Sequence, residues 1–340
     1  MSAFVREFPV YELGKYRAHG GIAELFKHWV LPGEDGGAHG LRLAIRNGYL
    51  NFYVKGQSVA ELRFTSSAPK IKIHRKYKEG FKKGDERATK IGQAYVTVRG
   101  DELQSVTASE VLNWIETAET YAGDEKRFVD DLVAVTPGVI DLEMALPADE
   151  SAEAGSRVAP RMDMVVAQGA EIAFWEAKCA TNGELRAKSE HGLTIENKKV
   201  GPAVVWQLLR YVDWINRGER IDEVRGAYVD AAQRLLAMAE LFGKKGPAVA
   251  CWRRLSATGD QSKLILPPGV VVAGYCSPRL DGDPREQDVK IYTSRMGSFA
   301  PHEDKLRALS IPIHIVSAKP ENAILPDLRS GEIRRAELAA

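Results

Sequence analysis

The nine residues EIAFWEAKC, at 171–179, constrain the fold more than any other stretch of the chain. In a strand, Ile172 and Phe174 line one face and Ala173, Trp175 and Ala177 the other. A strand that is apolar on both faces has to be covered on both, which places it in the interior of a layered sheet. This one ends in two opposite charges, Glu176 and Lys178, that share a face. Charges at the end of such a strand need partners, and the rest of the sequence has to supply them.

The surrounding text supplies the layers. Residues 107–121 (TASEVLNWIETAETY) predict a helix, with Thr107 and Glu110 as a capping box. Residues 124–135 (DEKRFVDDLVAV) place Phe128, Val129 and Leu132 on one helical face, and Pro137-Gly138 stops the run. VIDLEMAL (139–146), RMDMVV (161–166) and EIAFWEAKC read as strands, the last two joined at Gly169. A polar connection spans 147–160, and a second polar loop precedes an amphipathic helix at 203–215 (AVVWQLLRYVDWI). More helix is expected around 221–241, a central strand at 269–276 (GVVVAGYC), a short helix at 303–310 and a last strand in IPIHIVSA. Strands alternating with helices after residue 120 predict an α/β domain with a mixed sheet flanked by helices.

The N-terminal part reads differently. LRLAIRNGYLNFYVKGQSVAELRF (41–64) is a β-meander, with turns at Asn47-Gly48 and Lys55-Gly56. The expectation is a smaller β-rich domain over residues 1–100, followed by the α/β domain over 101–340. Residues 70–90 carry nine Lys or Arg against three Asp or Glu. That local excess of six positive charges leaves the rest of a chain of net charge +1 at −5. With Tyr77 and Phe81 interleaved, Arg75, Lys76, Lys78, Lys82, Lys83 and Arg87 suit a phosphate backbone, which is held by charge and without sequence choice. A solvated loop that balances an acidic remainder accounts for the same residues.

Composition excludes several classes. Hydrophobic residues make up 44% and charged residues 27% of the chain, as in water-soluble globular proteins. Three widely spaced cysteines do not make a disulfide framework and suit a reducing compartment. With no signal-like N-terminus and no apolar run of 18 residues, the expected location is the cytoplasm. No His or Cys cluster has zinc spacing, and GKKG at 243–246 lacks the spacing of a nucleotide-binding phosphate loop.

The chemistry concentrates around Glu176. Asp163 lies on the preceding strand, so pairing of the two strands brings two carboxylates together. Such a pair repels unless a cation lies between its members. Oxygen donors of this kind suit Mg²⁺, with Mn²⁺ as a substitute, and a lysine two residues on can hold or polarise a water beside the ion. A surface ion pair on an edge strand is the competing account of Glu176 and Lys178. Gln207 and Tyr211 lie one helical turn apart and can face one site. Glu125 can add a carboxylate, with Asp124, Asp130 and Asp131 as rivals for that role.

In this order (a helix with Glu125, a strand, a strand with Asp163, a strand with Glu176-Ala177-Lys178, a helix with Gln207-Leu-Leu-Arg-Tyr211) the chain resembles the PD-(D/E)XK nuclease superfamily. QLLRY is similar to the Q-x-x-x-Y motif of its RecB-like branch. The resemblance spans about residues 120–216, and the proline of the motif is Pro160 rather than a neighbour of Asp163. It implies a restriction-endonuclease-like fold. It also implies a metal held by Asp163, Glu176 and the Ala177 carbonyl, with Lys178 at the attacking water. Glu125 and Gln207 would support the centre and Tyr211 would meet nucleic acid. The implied activity is hydrolysis of phosphodiester bonds, of DNA before RNA, in prokaryotic defence, restriction or repair, with a homodimer or a defence-system partner compatible. A catalytically inactive member that binds nucleic acid or a partner on the same fold is the second expectation.

Overall fold

A computed structural model of the chain describes residues 3–66, 68–92, 94–146, 161–186, 202–278, 284–317 and 324–332. The polar connection at 147–160, with Pro160, and the polar loop at 187–201 lie outside the described residues.

The meander forms an antiparallel sheet in sequence order: β1 (Arg42–Arg46), β2 (Tyr49–Val54), β3 (Gln57–Thr65), β4 (Ala68–His74) and β5 (Tyr95–Arg99). Both turns fall where they were expected. Lys55 (φ 43) and Gly56 (φ 70) are both left-handed, as a two-residue hairpin matched to strand twist requires. The basic segment begins as a strand. In β4, Ile71 and Ile73 are buried while Lys70 and Lys72 alternate with them on the other face. It continues into the helices Arg75–Lys78 and Glu86–Ile91. Tyr77, expected to stand among the lysines, is buried in the core instead.

The helices Val10–Tyr16 and Gly20–His28 precede this sheet, and the helix Ala108–Glu119 packs on it. That last helix starts at the expected capping box: Thr107 N–H donates to Glu110 Oε2 at 2.8 Å, and Glu110 N–H to Thr107 Oγ1 at 3.3 Å. It rests on β2, β3 and the helix Gly20–His28, so this helix packs with the first sheet although it follows residue 100.

The second sheet contains β6 (Val139–Ala145), β7 (Arg161–Gln168), β8 (Glu171–Cys179), β9 (Lys263–Leu264), β10 (Gly269–Ala273) and β11 (Ile313–Val316). Its order is β11-β10-β8-β7-β6, with β9 on β8. The pairs β6–β7 and β7–β8 are antiparallel, while β8–β10 and β10–β11 are parallel. The sheet is therefore mixed, and β8 is interior: β7 flanks it on one side, and β9 and β10 on the other. Every β8 residue from Ile172 to Cys179 is buried. A side chain at Gly269 would meet the Trp175 ring at 2.7 Å, so β10 can lie this close to β8 only with glycine there.

Ile172 and Phe174 join a core shared with the first sheet, and Tyr228 of the helix Arg220–Leu241 sits with its ring 6.3 Å from that of Phe174. Ala173, Trp175 and Ala177 face a second core, with the helices Asp124–Val135 and Ala203–Ile215 contributing Phe128, Leu132, Val204 and Leu208.

Buried charges join the two sheets. Asp141 on β6 accepts from Arg6 Nε at 2.9 Å and Tyr228 Oη at 3.0 Å, and also pairs with Arg46 of β1. Asp130 accepts from Arg42 Nε at 3.1 Å and Lys55 Nζ at 2.7 Å. Burial alone would push both carboxyls up. The facing cations, Arg46 and Arg6 for Asp141, Arg42 and Lys55 for Asp130, outweigh it and hold both below the usual carboxylate range.

Candidate active site

The site lies at the C-terminal end of β8. The β7–β8 ladder pairs Met164 with Trp175, so one step further Asp163 falls opposite Glu176 on the same face. The Ala177 N–H donates to Asp163 Oδ2 at 2.9 Å. Asp163, Glu176 and Lys178 are all buried. Lys178 Nζ is 2.7 Å from Glu176 Oε1, 3.0 Å from Glu184 Oε2 and 3.6 Å from Glu125 Oε1.

The helix Ala203–Ile215 brings Gln207 to the same place, its Nε2 donating to Glu176 Oε1 at 2.7 Å. Tyr211, one turn on, is fully buried. Burial and the Glu176 charge raise its phenol well above the usual range. Tyr211 therefore forms part of the inner wall and not an exposed platform for nucleic acid. Glu125 opens the helix Asp124–Val135, and its Oε2 accepts from Asn182 Nδ2 at 2.7 Å. Of its rivals, Asp130 is taken up by Arg42 and Lys55, and Asp131 by Tyr275 and Ser277.

Four residues complete the cluster without having been anticipated: Lys126, Glu143, Asn182 and Glu184. Lys126 Nζ stands 3.4 Å from Asp163 Oδ1 and pairs with Glu143. Lys126 follows Glu125 in sequence, and Glu184 follows Lys178 by six. Neither spacing carries a signal, because the pairs form only when the strands and helices assemble.

These contacts join five carboxylates, Glu125, Glu143, Asp163, Glu176 and Glu184, to two lysines. Burial first, and the excess negative charge after it, set the protonation of the group. Burial, then the charge of Asp163, push the Glu176 carboxyl well above the ordinary range, against the pull of Lys178. Burial also raises Glu125, again opposed by Lys178. For Lys178 burial acts downward, but Glu176, Glu125 and Asp163 outweigh it and keep the ammonium charged.

The residues fit a hard divalent cation in one respect that can be seen directly. Glu176 Oε1 has two donors, whereas the buried Oε2 has no hydrogen-bond partner. A buried carboxylate oxygen in that state calls for a cation or a water. Among the described residues no group of three or more His, Cys, Asp or Glu is disposed to hold a metal. Asp163 and Glu176 are the two carboxylates that β7 and β8 bring to the end of β8, and the donor set that the resemblance implies adds only the Ala177 carbonyl to them.

The basic segment is partly self-neutralised. Arg75 pairs with Glu79 at 2.6 Å, Arg87 with Asp85 at 2.7 Å, and Lys78 with Glu102. Lys76 lies over the Tyr121 ring, 3.7 Å from its centroid, and burial lowers its pKa. Lys82 and Lys83 are exposed. The segment leans on the helix Ala108–Glu119 and its C-terminal turn through Lys83 N–H to Thr120 Oγ1 at 3.0 Å and Tyr121 Oη to the Phe81 carbonyl at 2.6 Å.

Comparison of the chain with protein-family models, with curated proteins and with solved structures finds no match. Among the described residues no helix is long and apolar enough to cross a membrane.

Proposed function

We propose that the chain is a Mg²⁺- or Mn²⁺-dependent nuclease with a restriction-endonuclease-like core, cleaving phosphodiester bonds of DNA in preference to RNA. One observation carries this reading: Asp163, Glu176 and Lys178 meet at the end of an interior strand, with a Glu176 oxygen buried and unpartnered. A bound Mg²⁺ would supply Lewis acidity and a nucleophilic water. The protein's own groups have separate tasks. Asp163 and Glu176 present oxygens, and the Ala177 N–H aims Asp163. Gln207 fixes the Glu176 carboxylate in one rotamer. Lys178, held charged, orients the water and offsets charge at the phosphate. Glu125, anchored by Asn182, steadies Lys178. Restriction, repair or defence is the setting that such an activity suits.

A second reading has its own support. Lys178 and Lys126 already pair with the site carboxylates, as they would in an inactive relative that binds nucleic acid or a partner. Incubation of the full chain with plasmid, single-stranded DNA, linear duplex and RNA, with Mg²⁺ or Mn²⁺, separates the two. The nuclease reading expects metal-dependent cleavage that Lys178→Ala abolishes. Absence of cleavage on all four substrates, or full activity in Lys178→Ala, overturns it.

A further inference from the structure

The β6–β7 ladder pairs Leu142 with Met164 and Met144 with Met162; between these pairs Glu143, left-handed at φ 52, and Asp163 both reach the Lys126 ammonium. With Glu176 opposite Asp163 on the other side, three carboxylates form a row across β6, β7 and β8. Their inner oxygens are shielded: the side chains of Glu143, Asp163 and Glu176 retain 11%, 6% and 2% exposure. Adjacent carboxylates in such a place require cations between them. One gap, between Asp163 and Glu176, is where the metal of the proposed nuclease would sit. In the other gap stands the ammonium of Lys126, against Glu143 and 3.4 Å from Asp163 Oδ1.

The lysine is held there from the first sheet. A side chain at Gly56 would come within 2.8 to 3.1 Å of Lys126 Cβ, Cγ and Cδ, so the β2–β3 turn packs its bare backbone on the lysine stem. The neighbouring Lys55 ties the same turn to Asp130, one helical turn beyond Lys126. The turn packs on the lysine stem, and the ammonium reaches Glu143 and Asp163 with the side chain 30% exposed.

We infer that Lys126 is a built-in counter-ion that fills a second cation position, between Glu143 and Asp163, and so limits the site to a single divalent metal. This rests on the metal-dependent reading and adds a role for the N-terminal sheet: its β2–β3 turn keeps the second position closed. Lys126 is a positioning residue. A compact ammonium with three donors can bridge two carboxylates, but it adds one charge where a divalent ion adds two.

The test is the number of Mn²⁺ ions bound by the full chain, counted by electron paramagnetic resonance at saturating Mn²⁺, with circular dichroism to verify folding. Wild type should bind one. Lys126→Met should bind two, Lys126→Arg one, and Lys126→Met with Glu143→Gln one again. A merely structural role for Lys126 would not move the count in this pattern. If Lys126→Met does not fold, Lys126→Gln serves in its place, and wild-type stoichiometry still decides. Two ions in wild type, or one in the folded neutral variant, overturns the inference and leaves the nuclease reading standing. No ion in wild type overturns the nuclease reading itself.

Discussion

Gln207 Nε2 donates to Glu176 Oε1 at 2.7 Å, linking the helix Ala203–Ile215 to the end of β8. It is one of two donors on that oxygen, the other being Lys178. Gln207→Leu leaves the carboxylate to Lys178 alone and frees it to rotate. Loss of one buried, charge-assisted bond costs about 1–3 kcal/mol, and an outer partner of a metal ligand is worth about 10–100-fold in activity or metal affinity. Urea unfolding and cleavage rates should register both losses. A variant with wild-type metal affinity and rate would mean that Gln207 only fills space.

Metal and pH should act on stability together. Burial and the Asp163 charge hold the Glu176 carboxyl above the usual range. Its unfolded value is about 4.3, so between there and the raised folded value the folded chain carries the extra proton. Stability without metal therefore falls as pH rises through that window. A divalent ion needs the carboxylate ionised, so it displaces the proton, and its effect should grow as pH rises above the unfolded value. At a hundredfold excess over Kd the gain is about 2.7 kcal/mol. Thermal unfolding with and without Mg²⁺ measures it. Ca²⁺ should stabilise too but support little cleavage, and Asp163→Asn should remove the shift while leaving the fold intact. An undiminished shift in Asp163→Asn would exclude Asp163 as a ligand.

The Asp141 carboxylate works in the opposite direction. Burial opposes its charge, but Arg46 and Arg6 hold its pKa below the usual range. That stabilisation is complete above the unfolded value of about 3.9 and is lost as pH falls through the folded one. Asp141→Asn leaves Arg6 and Arg46 without their buried counter-charge and should cost about 3–5 kcal/mol at pH 7. In urea titrations the gap to wild type should narrow on acidification below about pH 4. A gap constant with pH would assign the loss to packing.

The exposed part of the basic segment should contribute affinity and no chemistry. Reversing Lys82, Lys83 and Arg87 to glutamate should weaken DNA binding at low salt. The slope of log K against log salt should flatten by about one for each phosphate that the protein no longer neutralises. Arg87 already pairs with Asp85, so the two lysines should account for most of the effect. An unchanged slope would leave the segment as a solvated loop.

Sequence carried much of this in places where periodicity was strong. The strand Glu171–Cys179 and the helices Asp124–Val135 and Ala203–Ile215 fall on the residues that pattern and caps mark out. Their apolar faces are wide and their ends are punctuated by Gly123, Pro137 and Pro202. Seven helices of the described residues escaped notice, among them three short ones at Arg75–Lys78, Glu86–Ile91 and Gly100–Ser105, and the other four did so for identifiable reasons. Val10–Tyr16 and Glu286–Gly297 each bury a single residue, Leu13 and Tyr292, so they have no apolar stripe to read. Gly20–His28 opens on two glycines, and Pro247–Thr258 follows GKKG, which reads as a loop. Strand β5 has one buried position, Val98. At the site, strand alternation put Glu176 and Lys178 on one face and helix spacing put Gln207 and Tyr211 on another, while the resemblance drew Asp163 and Glu125 in with them. Lys126 and Glu143 could not be named in advance, since their meeting depends on strand register and on a turn from the other sheet.

The buried pairs of Asp130 and Asp141 also bear on how such a chain can be inherited. Their partners Arg6, Arg42, Arg46 and Lys55 all precede residue 100, where composition alone suggests a seam. A recombination event that exchanged the first hundred residues for another module would strand two carboxylates in the interior with nothing to neutralise them. The two halves can drift at their surfaces. Along this charged seam they have to be transmitted, and to change, as one gene segment.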